Sequence, residues 1–125
     1  MNAKHYVSLE VAKMLKEKGY NELVGAFYTR GELYFCSLAI GKELIGLNQN
    51  GHEILKHEHY SAPTLLEAMD WLEERKIRIE LQYSDYYHLW YSTIKLPIVT
   101  ITGMGYYADR NECKNEAIKK GLELL

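Results

Sequence analysis

Cysteine, proline and phenylalanine are all scarce in this chain, with two of each in 125 residues. Cys36 and Cys113 lie far apart in apolar surroundings, which favours two small packed hydrophobes over a disulfide framework. Long apolar runs are missing too. The longest uncharged stretch, Leu96 to Ala108, is broken by Pro97, Gly103 and Gly105 and falls short of the roughly 20 residues that a membrane-crossing helix needs. No apolar signal-peptide core follows Met1-Asn2-Ala3-Lys4-His5. A reduced, cytoplasmic location and no membrane partner are expected. Charge of one sign is also lacking. The formal net charge is −2, and residues 1–60 carry seven Lys/Arg against seven Asp/Glu, residues 61–125 eight against ten. Binding nucleic acid through its phosphates takes a basic face, so nucleic acid is not the favoured partner.

What is present is a core and an excess of tyrosine. The chain is 47% hydrophobic, enough to bury a core in one domain of this length, and residues 1–125 are expected to form a single domain. Three helices are predicted. The first follows Ser8 as N-cap, with Leu9, Ala12 and Leu15 at helical spacing and Gly19-Tyr20 as a Schellman-type end. The second starts at Thr64, where Thr64 and Glu67 make a capping box and Leu65, Ala68, Met69 and Leu72 an apolar stripe. The third starts at Asp109, with Ala117, Ile118, Gly121, Leu122 and Leu125 as its buried side. Tyr6, Tyr60 and Tyr107 each precede a helix start, where an aromatic can fix the direction of the incoming chain.

Strands fill the intervals. Leu23–Thr29 and Leu33–Ile40 flank a turn at Arg30-Gly31, Leu44–Leu47 is a short candidate, and Asn48-Gln49-Asn50-Gly51 reads as a loop. Ile77, Ile79, Leu81 and Tyr83 alternate with polar residues, Ser84-Asp85 is a turn signal, Tyr87 to Ile94 is the expected returning strand, and Ile98 to Thr102 a third β-branched run. The expected fold class is α+β: antiparallel β-hairpins forming a sheet, with about three helices packed mainly on one face.

Four constellations could carry chemistry. Gly103-Met104-Gly105-Tyr106-Tyr107-Ala108 has the spacing of a dinucleotide-binding turn. However, Asp109 would repel a pyrophosphate at the helix N-terminus, and the chain ends before a ribose-binding carboxylate could follow. His57 and His59 share one face of a strand, a usable metal-ligand spacing, with His52 upstream; a small metal-dependent enzyme is the reading they allow, although a site normally takes three ligands. Cys36 has no basic neighbour to make it a nucleophile. Gly41 and Gly46 have P-loop spacing, but Leu47-Asn48 stands where Lys-Ser/Thr belongs. No catalytic set emerges and no cofactor is implied.

Beside these four stands the run Tyr83-Ser84-Asp85-Tyr86-Tyr87-His88-Leu89-Trp90-Tyr91, which holds five of the chain's aromatics. Tyrosine and tryptophan join an apolar body to a polar tip and are enriched in interface cores. Tyr86, Tyr87, His88, Trp90 and Tyr91 are therefore the candidate interaction residues. If Tyr87, Leu89 and Tyr91 face the core, Trp90 is left on the other side; the alternation alone does not choose. The leading expectation is a non-enzymatic interaction module that pairs with itself as a homodimer or with another protein. The alternative is nucleic-acid binding, because the order helix, strand, strand, strand, helix from Thr64 onward resembles the double-stranded-RNA-binding topology.

Finally, Tyr6 to Tyr20, Ser61-Ala62-Pro63-Thr64, Ala68, Trp71-Leu72 and the closing Tyr107 to Leu125 segment resemble small uncharacterised proteins from phages and mobile elements of Bacteroides-type bacteria. The resemblance implies a phage-related context and assigns no functional residue.

Overall fold

The computed structural model describes residues 2–35, 38–40, 43–45, 53–54, 57–102 and 105–125. The class is α+β, with three α-helices and antiparallel hairpins among the described residues. Among the described residues the strands fall into three antiparallel sheets. By contacts the chain divides into two compact units, Met1–Thr64 and Leu65–Leu125.

The first unit opens with a 3-10 turn at Ala3–His5 and α1 (Leu9–Glu17). Ser8 caps α1: its Oγ accepts the Val11 N–H at 3.3 Å. The helix ends as its sequence predicts. Gly19 takes a φ of +88°, the left-handed region where a Cβ is costly, and the N–H groups of Gly19 and Tyr20 bond to the carbonyls of Lys16 and Leu15. Val11, Ala12 and Leu15 are buried, and so is Tyr20. β1 (Ala26–Thr29) and β2 (Glu32–Phe35) form the hairpin around Arg30-Gly31, both with positive φ. β1 starts three residues later than the run from Leu23 suggests, and Leu23 is exposed. β3 (Leu38–Ile40) and β4 (Glu43–Ile45) pair with each other, while β5 (Glu53–Ile54) pairs with β6 (His57–Ser61) in a sheet ordered β2-β1-β6-β5. Expectations that rest on Cys36, Gly41, residues 46–52, Gly103 and Met104 lie outside the described residues. Tyr6 pairs with Thr64 in an isolated bridge and sets its ring 5.3 Å from Phe35.

The second unit runs α2 (Leu65–Glu74), β7 (Arg78–Ser84), β8 (Leu89–Lys95), β9 (Thr100–Thr102) and α3 (Arg110–Glu123). The sheet is a meander ordered β7-β8-β9. α2 buries Leu65, Ala68, Trp71 and Leu72, so Trp71 completes the stripe on which Met69 is only half-buried. α3 is capped by Asp109, whose Oδ1 accepts the Asn111 N–H at 2.8 Å, and buries Cys113, Ala117, Ile118, Gly121 and Leu122. Leu125, expected on that side, is exposed because α3 stops at Glu123. Register decides which sheet face the helices cover. Ile79 lies opposite Ile94, Leu81 opposite Ser92 and Tyr83 opposite Trp90. Directly opposed residues share a face, so Trp90 stands on the side of Ile79 and Ile94. A Cβ on Gly121 of α3 would meet Ile77 and Ile79, which puts the helices on that same side. Tyr91 shares the other face with Gln82, Glu80 and Lys95. There Lys95 lies 3.0 Å from Glu80, and this bond holds the Glu80 carboxyl below its usual range.

Candidate functional site: a tyrosine cluster at the hairpin tip

The β7–β8 connection is longer than the Ser84-Asp85 signal indicates. β8 begins at Leu89, so Tyr87 and His88 are not strand residues; Asp85 to His88 form a four-residue turn. Local bonds explain it. Ser84 accepts the His88 N–H on its carbonyl at 2.8 Å and the Tyr87 N–H on its Oγ at 3.1 Å. His88 closes the loop in a left-handed conformation, φ +55°, which histidine tolerates better than bulky or branched residues do. This turn pushes Tyr86 and Tyr87 out to solvent, 85% and 56% exposed.

The two rings do not stand alone. Tyr86 meets Tyr87 edge-on at 4.8 Å, Tyr87 meets Tyr106 at 5.0 Å, and Tyr106 meets Tyr91 at 5.7 Å. The Tyr91 hydroxyl donates to Gln82 Oε1 at 2.5 Å, which anchors the row on the sheet. Tyr106 reaches it because Tyr107 pairs with Trp90 on both sides, N–H to carbonyl at 2.7 and 2.8 Å. Extended neighbours alternate sides, so Tyr106 turns to the Tyr91 side. Gly105 enables this approach with a φ of +125°, where a Cβ would also come within 3.3 Å of the Tyr107 hydroxyl. The result is a row of four tyrosine rings at one end of the sheet, on the face away from α2 and α3.

Of the five candidates, Tyr86, Tyr87 and Tyr91 therefore come together. His88 shapes the turn. Trp90 stands across the sheet, half-buried, with Tyr83 edge-on at 5.2 Å and the Arg110 guanidinium 5.2 Å from its ring centroid. Tyr106 was not among the candidates; the signal was its place in the tyrosine excess, but its neighbours are set by distant register.

The remaining chemistry is sparse. His59 is buried and stacks on Phe27 at 5.2 Å, while its carbonyl accepts from Lys16 Nζ at 3.4 Å. His57 is described by its backbone, paired with Ile54, and His52 lies outside the described residues. Among the described residues no group of three or more His, Cys, Asp or Glu side chains could hold a metal. Burial pushes the Cys113 thiol up to about 11, so it carries almost no thiolate at neutral pH. Asp109 caps the α3 N-terminus, so a carboxylate already stands where a bound pyrophosphate would have to sit. A cleft of about 290 Å³ opens between α3 and β8, lined by Ser92, Tyr107, Glu116, Ala117, Lys119, Lys120 and Glu123. That volume is at the lower limit of small-molecule sites. Burial, and after it Glu116, raises the Tyr107 hydroxyl pKa, so the cleft presents a neutral phenol. Among the described residues no helix is long and apolar enough to cross a membrane.

No known protein family matches the chain, and neither the curated proteins nor the solved structures contain a match to it.

Proposed function

We propose that the protein is a non-enzymatic interaction module that associates with itself through the tyrosine row Tyr86, Tyr87, Tyr106 and Tyr91. The carrying observation is that these rings touch one another while three of them are exposed: Tyr86 and Tyr87 as above, Tyr106 at 48%. Each tyrosine can bury about 150–250 Å². Covering the exposed parts of these three removes roughly 350 Å² from water, a gross gain of about 9 kcal/mol at ~25 cal/mol per Å². Association costs about 4–15 kcal/mol, so the contact is weak and concentration-dependent. Light scattering of the wild-type chain is expected to show mass growth between roughly 10 μM and 1 mM. The double variant Tyr86→Ser/Tyr87→Ser stays monomeric with an unchanged melting temperature, since surface changes of this kind shift stability within about 0.5 kcal/mol. A double variant that associates like wild type refutes this reading.

A second reading, nucleic-acid binding, is favoured by one observation: α2, β7, β8, β9 and α3 follow the helix-strand-strand-strand-helix order with both helices on one sheet face. Arg110 and Lys114 lie early on α3. Against it, α2 presents Glu67, Asp70, Glu73 and Glu74 to solvent, a surface that repels phosphate. Gel retardation of a duplex RNA of about 20 base pairs at low salt tests it. The self-association reading expects no retardation, and a salt-sensitive shift would favour the RNA reading.

A further inference from the structure

The sheet carries a second exposed apolar feature at its other end. Leu96-Pro97-Ile98-Val99 joins β8 to β9, and Ile98 is 98% and Val99 54% exposed. The loop is preset rather than loose, since the Leu96 N–H bonds to the Val99 carbonyl at 2.9 Å and Pro97 has a fixed φ. A rigid aliphatic tip loses little conformational freedom when it docks.

We propose that copies of this chain associate head to tail, with the Pro97-Ile98-Val99 tip of one copy seated on the tyrosine row of the next. The proposal rests on the tyrosine row being the interaction surface, and it names the occupant. Three features carry it. The chemistry fits, because an aliphatic knob packs on aromatic faces while the tyrosine hydroxyls stay in water. The positions fit, because the two features sit at opposite ends of β8, which spans seven residues, about 20 Å at 3.3 Å per residue; a copy cannot reach its own row with its own tip. The charges fit as well. Lys95 precedes the tip and Asp85 opens the tyrosine turn, whereas row-on-row pairing would bring two Asp85 carboxylates into one interface. Tip-on-row contact joins unlike surfaces and leaves one of each unused, so it continues into an open chain or a closed ring instead of stopping at a two-fold dimer.

The test is sedimentation velocity on full-length chains: wild type, Ile98→Asp, Tyr86→Ser/Tyr87→Ser, and an equimolar mixture of the two variants. Wild type is expected to grow past dimer as concentration rises. Each variant alone associates about tenfold more weakly or not at all. The mixture forms a 1:1 pair and nothing larger, because each variant supplies the surface the other has lost. Ile98→Ser, with circular dichroism on every sample, guards against a folding artefact of the aspartate. If Ile98→Asp and Ile98→Ser associate like wild type while the double tyrosine variant does not, the tip is not the occupant and the interaction reading stands. If the double tyrosine variant also associates, or wild type stays monomeric throughout, both fail.

Discussion

Gly121→Leu is expected to lower the melting temperature of the second unit by roughly 4–24 °C. Gly121 faces inward from α3, and a Cβ built there lies 3.0 Å from Leu72 Cδ1 and 3.3 Å from Ile77 Cγ2. Leu72 is fully buried and Ile77 nearly so. The first added carbon is tolerable: Leu72 Cδ1 ends a flexible side chain, and replacing a helical glycine by alanine gains about 1 kcal/mol. Ile77 Cγ2 yields less, being fixed on a β-branched carbon. Gly121→Ala should therefore melt within a few degrees of wild type. Leucine adds three more carbons where the first already meets Leu72, Ile77 and Ile79 within 3.8 Å. Overpacking of this kind costs about 1–3 kcal/mol, occasionally more, and a unit of this size starts near the low end of the ~5–15 kcal/mol range. Both tryptophans, Trp71 and Trp90, lie in this unit, so a fluorescence melt reports on it directly. A Gly121→Leu protein that melts with wild type would mean that α3 does not pack on Leu72 and Ile77 in this way.

The helices were legible because their signals are local. Ser8 with Val11, Gly19 with Tyr20, and Asp109 with Asn111 lie within three residues of each other, and their bonds need no distant partner. The hairpin tip was misread for a related reason. Tyr87 and His88 have neighbours that favour strand, and nothing like Asn-Gly marks the reversal; a carbonyl of Ser84 and a left-handed His88 decide it instead. Which side Trp90 takes was not readable, because both faces of β8 alternate with apolar residues and only pairing with Tyr83 breaks the tie. Tyr106 was invisible for the strongest reason. Its place beside Tyr87 and Tyr91 depends on Tyr107 meeting Trp90, a contact between residues far apart in the chain. The residues that build the site are thus local in type and non-local in arrangement.

Trp90→Ala separates architecture from recognition. In the sequence Trp90 is one of the five candidate interaction residues, set by strand alternation on the face opposite Tyr91. In the fold its ring lies across the sheet from Tyr87 and Tyr91, between Tyr83 and Arg110. Removing the indole takes the partner from both and leaves a gap beside the first turn of α3, while the backbone pairing with Tyr107 remains possible. A fully buried Trp→Ala costs about 3–5 kcal/mol. Trp90 is half-exposed, so about 2 kcal/mol is expected, a fall of roughly 8–16 °C in melting temperature for a unit of this length. Trp90→Phe should recover much of the loss, because a ring still meets Tyr83. Self-association below the new melting temperature should match wild type, since Tyr86, Tyr87, Tyr91 and Tyr106 keep their contacts with one another. The double tyrosine variant should behave in the opposite way, keeping its stability and losing association. If Trp90→Ala instead abolishes association while melting like wild type, the recognition surface lies on the helix side of the sheet and the tyrosine row is not the site.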